Sequence, residues 1–256
     1  MKKTIVNKHS QRIAFAVAIA GLCRFSPQAA HSQTAPATPP PAPKWESSAA
    51  LGLALTRGNS DTLLFNANIG TFRKWEHDEL RLGADGTYGE TDGTTSAQQA
   101  HGFGQLNHLF NDRFYGGLRL DALHDHIADL NYRFTVAPLA GYYFIKETNT
   151  TLSAEVGPGF VFERQGGNND TYTSLRIGER FEHKFNARAK MWQTAEFLPQ
   201  LDSFSNYLLL GEIGVEASLT EKLSLRVVLQ DSFDNEPAPG RKKNDLKLIS
   251  GLSYKF

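Results

Sequence analysis

The sequence predicts an all-β fold, a closed antiparallel transmembrane β-barrel of about twelve strands, on three observations: long alternating runs, a charged alternate face and aromatic strand ends. Beyond Trp45, apolar residues occupy every second position in runs separated by Asn, Asp, Gly and Glu clusters, and period two makes one face apolar and the other polar. The runs exceed the roughly 5 to 6 residues usual in soluble sheets and reach the roughly 9 to 11 that a tilted strand needs to cross a bilayer. Their polar face carries both signs, with Arg81, Asp85, Arg119, Asp121, Glu155, Arg176, Arg180, Glu182, Glu212, Glu216 and Arg226. Such a face suits a wet lumen, where opposite charges can pair, and not the dry interior of a sandwich. Aromatics such as Trp45, Trp75, Tyr88, Tyr132, Tyr207, Phe233 and Tyr254 fall at strand ends, where amphipathic rings settle at the polar boundaries of a membrane.

Residues 1–32 read as a secretory signal. Lys2, Lys3, Lys8 and Arg12 precede an apolar stretch from Ile13 to Leu22, and Ala30-His31-Ser32 supplies small residues before a cut after Ser32, with cuts after Ala30 or Ala35 as alternatives. The apolar stretch falls short of the roughly 20 residues of a transmembrane helix. The single cysteine, Cys23, lies inside this segment, so the mature chain is expected to hold neither thiol nor disulfide. The order Ala20-Gly21-Leu22-Cys23 does not fit a lipid-attachment signal. Residues 33–43 form a proline-rich linker of polyproline II character, and residues 44–256 the barrel. Lys+Arg and Asp+Glu are equal at 27 each, which leaves no net field to attract nucleic acid. A mean hydropathy of −0.38 and the absence beyond residue 44 of a run near the roughly 18 apolar residues of a membrane helix exclude a helical membrane protein.

Strands are expected near 45–57, 62–75, 79–90, 96–110, 113–124, 131–146, 149–164, 171–185, 187–199, 206–219, 222–234 and 244–256. Alternation is plainest from Leu152 to Arg164, with Leu152, Ala154, Val156, Pro158, Phe160 and Phe162 opposite Ser153, Glu155, Gly157, Gly159, Val161 and Glu163. The fourth and ninth runs alternate poorly, and Glu179 falls on an otherwise apolar face. With the N-terminus in the periplasm, the connections on that side are short: Glu76–Asp78, Asn111-Asp112, Glu147-Thr148, Asn186 and Thr220-Glu221. The outer ones are expected to be longer, at Thr91–Thr95, Asp125–Leu130, Gln165–Asp170, Gln200–Ser205 and Asn235–Lys243, apart from a tight first hairpin at Gly58–Asp61. Short turns on one side and long loops on the other are the habit of membrane barrels.

The chain closes on Ser253-Tyr254-Lys255-Phe256, with Gly251 before it. This resembles the terminal signal by which the outer-membrane assembly machinery recognises barrels, although Ile249 stands where a polar residue is usual. The run from Trp45-Glu46 through Leu51-Gly52 to Thr56-Arg57-Gly58-Asn59-Ser60-Asp61-Thr62 resembles the YdiY-like family, described as salt-induced outer-membrane proteins of unknown function. The similarity extends from Trp45 to Phe256. It implies a barrel in the outer membrane of a Gram-negative bacterium and brings no catalytic residues with it.

Two function classes follow: a narrow pore or envelope structural and stress-tolerance protein, and, as the alternative, a barrel enzyme (protease or lipid hydrolase) at the cell surface. For a protease or metal site the candidates are His124-Asp125-His126 with Asp121 and Asp129, His124 and His126 being expected on one strand face. For a lipid hydrolase, Ser174 and His183 share a strand but on opposite faces. His101 and Asn107 point into the lumen, and Asn59-Ser60-Asp61, Asp170 and Asp202 could gather calcium or simply form turns. No catalytic, cofactor or metal residue is assigned, and no cofactor is expected. Arg176, Arg180 and Glu182 are expected to fill a narrow lumen. Outer-membrane lipid, lipopolysaccharide and the barrel assembly machinery are the expected partners, and nucleic acid is not one.

Overall fold

A computed structural model describes residues 45–56 and 62–256; the expected signal, linker and Gly58–Asp61 hairpin lie outside the described residues. Twelve strands follow in chain order: β1 (Trp45–Thr56), β2 (Thr62–Lys74), β3 (Asp78–Thr91), β4 (Thr94–Leu109), β5 (Phe114–Asp125), β6 (Leu130–Lys146), β7 (Thr150–Gln165), β8 (Asn168–Lys184), β9 (Ala189–Pro199), β10 (Tyr207–Ser218), β11 (Leu223–Asp234) and β12 (Asn244–Lys255). Each pairs antiparallel with its sequence neighbours, and β1 with β12 closes the ring, so the sheet keeps no free edge. Strands of 11 to 17 residues exceed the roughly 9 to 11 needed to span hydrocarbon at a tilt.

The two faces part as the alternation predicts. On β7, Val156, Phe160 and Phe162 are 43–47% exposed to the lipid side, while Val161 and Glu163 between and beside them are 2% and 8% exposed. Leu51, Leu53, Ile69, Leu118, Phe134, Val215, Leu225 and Leu248 extend the same apolar wall. The lumen accepts large rings because glycines sit opposite them. A Cβ on Gly141 would lie 2.2 Å from the Tyr115 ring, and one on Gly214 1.9 Å from the Trp192 ring, so Tyr115 and Trp192 lie flat over bare backbone and are 1% and 7% exposed.

The barrel has a terminal end, where Trp45 and Phe256 lie, and a far end. Terminal-end turns are short because side chains cap their amides. Asn111 Oδ1 accepts from Arg113 N (2.9 Å) and Phe114 N (2.8 Å), and Asn186 Oδ1 from Arg188 N (2.8 Å) and Ala189 N (3.0 Å). At the far end the expected long connections at Thr91–Thr95 and Gln165–Asp170 are instead tight hairpins, with β3, β4, β7 and β8 running further out. Their two-residue turns are Asp92-Gly93 (φ 50° and 74°) and Gly166-Gly167 (φ 56° and 81°), the left-handed pair that matches strand twist. The loops over 200–206 and 235–243 are long as expected.

Two irregularities stand out against this frame. The β1–β12 seam runs from Ser48–Lys255 to Gly52–Gly251, with Phe256 N donating to the Ser47 carbonyl at 3.1 Å beyond it, whereas β7 and β8 pair from Thr150–His183 to Gln165–Asn168. Glu179 of β8, between Ile177 and Phe181, faces lipid as its parity requires; Gln193 Nε2 donates to its carboxylate at 3.4 Å.

Candidate functional site: the charged lumen

Alternate residues of β3 to β9 build one connected layer across the middle of the lumen. Arg176 of β8 donates from Nη1 to Glu155 of β7 at 2.9 Å and from Nη2 and Nε to Glu196 of β9 at 2.7 and 3.2 Å. Glu155 Oε1 also accepts from Gln105 Nε2 (2.6 Å) and the Tyr115 hydroxyl (2.9 Å). Arg119 of β5 makes a two-pronged bond to Asp121 (2.7 and 2.8 Å) and stands 3.8 Å from Glu196 across the barrel. His101 Nδ1 lies 3.0 Å from Asp85 and its Nε2 3.5 Å from Asp121. Period two explains the arrangement: once Asp85, Gln105, Arg119, Glu155, Arg176 and Glu196 face inward, closure of the ring brings them within reach of one another. Arg176 is 3% exposed, so each charge needs its partner; removing one partner of a buried pair costs about 3–5 kcal/mol.

A second layer lies nearer the far end. Arg133 of β6 bonds Glu163 of β7 and reaches Asp234 of β11 at 3.7 Å. Tyr172 donates to Glu163 and Gln165 to Asp234, each at 3.4 Å. The 235–243 loop folds against this mouth: Ala238 is 4% exposed and approaches Gly166. Further links cross the lumen elsewhere, from Lys247 of β12 to Gln99 of β4 and from Arg226 of β11 to Asn68 of β2 at 3.2 Å.

The enzyme candidates do not assemble. His126 lies beyond the end of β5 in the turn to β6, so it does not share a strand face with His124, contrary to the sequence expectation. His124 faces outward and donates from Nδ1 to the Asn131 carbonyl at 2.8 Å, whereas Asp121 points inward to Arg119 and His101, and Asp129 occupies a turn at φ 55°. Ser174, 1% exposed, donates inward to the Gly159 carbonyl at 3.3 Å, while His183 lies outside, its Nδ1 2.9 Å from the Thr150 hydroxyl. Asn107 and His101 are in the lumen as expected, Asn107 accepting from Gln105 at 3.0 Å. Asp170 caps Thr171 N at 2.8 Å and Asp202 lies in the 200–206 loop. Among the described residues no three His, Cys, Asp or Glu side chains converge as a metal site would need. Sequence reasoning missed Glu196 and Asp234. Glu196 sits in the poorly alternating ninth run, where Lys190, Trp192 and Thr194 share its face.

The NanC porin is similar in structure, with 6% identity and a TM-score of 0.52, covering 82% of this chain and 100% of that chain. The KdgM porin follows at 7% identity and a TM-score of 0.46, covering 83% and 99%. The translocator domain of the autotransporter NalP from Neisseria meningitidis is similar at 12% identity and a TM-score of 0.44, covering 83% and 87%. At these identities the likeness is one of fold. No curated protein matches the chain. The model of the family described as "Protein of unknown function, DUF481" matches residues 49–256. That span takes in all of the barrel beyond the first four residues of β1, and the YdiY-like resemblance falls in the same family. The chain belongs to the DUF481 family.

Proposed function

We propose that the chain is an integral barrel of the bacterial outer membrane, its termini toward the periplasm, and that it serves as a narrow pore for small hydrophilic solutes or ions that helps the envelope tolerate salt. The observation that carries this reading is a lumen lined with charge and bridged by side chains at two levels, leaving cavities of about 60 and 220 Å³. Fixed charges of both signs can replace part of a solute's hydration, while the bridges restrict what passes. Its partners are then outer-membrane lipid and lipopolysaccharide, and the assembly machinery that reads the Tyr254–Phe256 end. The test is electrical recording of the mature barrel in planar bilayers. A small, ion-selective conductance is expected, with reversal potentials displaced toward cations in Arg176→Glu/Arg180→Glu. Silence at every voltage, or unchanged selectivity in that variant, overturns the pore. The same preparation is expected to leave phospholipid and peptide substrates intact; hydrolysis abolished by His124→Ala/His126→Ala would replace the pore with a surface enzyme.

A further inference from the structure

Among the described residues six arginines face the lumen, and they divide by their partners. Arg119, Arg133 and Arg176 each meet carboxylates. Arg226 donates to Asn68 and lies over the Trp192 ring at 4.6 Å. Arg81 of β3 and Arg180 of β8 differ from these. Among the described residues no hydrogen bond or ion pair engages the Arg81 guanidinium, which rests 4.7 Å over the Phe72 ring; a ring face leaves the N–H edges unused. Arg180 has Glu182, two residues along its own strand, at 3.8 Å, a distance too long for a hydrogen bond. Both line one cavity of about 60 Å³ on the terminal-end side of the Arg176 layer, with Thr194, Tyr115 and Tyr143. The two tyrosine hydroxyls are spent on Glu155 and Glu79.

Two like charges facing one restricted space repel each other, and an ion of opposite sign that enters it relieves both. Of the acidic residues that also line the cavity, Glu155 and Glu196 are held by Arg176 at 2.9 and 2.7 Å, and Glu179 carries its carboxylate on the outer face beside Gln193. We infer that Arg81 and Arg180 form a binding site for one small oxyanion, a phosphate or the carboxylate of an organic acid, held between two guanidinium forks in the lumen. Planar forks match the paired oxygens of these groups. The space is several times the roughly 10–15 Å³ that one water needs, and it lies on the path a solute would take. The assignment deepens the pore reading, since it names what the lumen selects.

The test is calorimetric titration of the mature barrel, folded in detergent, with sodium phosphate, sodium sulfate and sodium acetate against sodium chloride at matched ionic strength. Saturable binding of one anion per barrel is expected. Arg81→Gln and Arg180→Gln are each expected to weaken it about tenfold or more, the loss of a charge-assisted hydrogen bond, while Arg164→Gln at the outer rim leaves it unchanged. Heat-modifiable gel mobility shows that each variant is folded; if the Gln variants fail it, Arg81→Lys and Arg180→Lys, which keep the charge and lose the fork, are expected to fold and bind more weakly. Preference for phosphate and sulfate assigns an inorganic oxyanion, and preference for acetate an organic acid. No saturation by any of the three, or binding equal to wild type in the folded Arg81 and Arg180 variants, overturns the site. Binding in a barrel that passes no current sinks the pore and leaves the site standing; current without binding does the reverse.

Discussion

Arg176 and Arg180 stand on the same face of β8, four residues apart, yet one is locked and the other is not. Arg176 is gripped by Glu155 and Glu196 from the strands on either side, and those acids are tied to Gln105, Tyr115 and Arg119. Arg180 has one neighbour on its own strand and faces Arg81 across a cavity. The difference comes from the neighbouring strands. Gly178, between the two arginines on that face, pairs with Glu155 and with Glu196, whereas Arg180 pairs with Ser153 and Thr194. A charge in a barrel lumen is structural when its flanking strands bring the opposite sign to its level, and available to a diffusing ion when they do not.

Four substitutions test that contrast. The largest expected effect belongs to Arg176→Ala, which strands Glu155 and Glu196 and is expected to cost about 3 kcal/mol of stability. Urea unfolding in lipid vesicles, followed by the fluorescence of lumen-buried Trp192, measures it; a loss below about 1 kcal/mol would mean the middle layer is solvated and not a closed circuit. Gly214→Val places carbon where the Trp192 ring lies, 1.9 Å from it, and is expected to cost about 1–3 kcal/mol with a red shift of emission as the ring is expelled. Glu179→Leu removes a carboxylate from the lipid wall whose one hydrogen-bond partner among the described residues is Gln193, and is expected to stabilise the barrel by about 1 kcal/mol, since acids on that face cost less than the roughly 2–4 kcal/mol of a basic residue at midplane. A destabilised variant would show that Glu179 meets a partner other than lipid. Smallest is Arg180→Ala, expected within about 0.5 kcal/mol of wild type at low phosphate; a cost comparable to that of Arg176→Ala would erase the distinction between the two positions.

The strands were legible because period two is a local property. Leu152 to Glu163 declares both faces within a dozen letters, and β7 follows it. Hairpin lengths at the far end were harder to read, because Asp92-Gly93 and Gly166-Gly167 sit among polar residues that look like loop and are strand. The lumen's charges were legible as a class and illegible as pairs. That Arg119 of β5 meets Glu196 of β9, or Arg133 of β6 meets Asp234 of β11, depends on tilt, closure and the diameter of the ring, and none of these is written in any one segment. The meeting of Arg81 and Arg180 at one cavity was hidden for the same reason, since it too depends on where β3 and β8 stand in the closed ring.

The abbreviated rung count between β1 and β12 gives this cyclic molecule a point of origin. Every other junction joins strands consecutive in the sequence, so it forms between segments already tethered; this one unites residues at opposite ends of the fold and has the fewest register pairs to hold them. Before it zips, the chain is a curled sheet with two bare margins able to template onto a neighbour. Rupture under force or denaturant should start at the same line, with Leu246 and Leu248 of β12, 64% and 66% exposed, the first side chains to lose their setting.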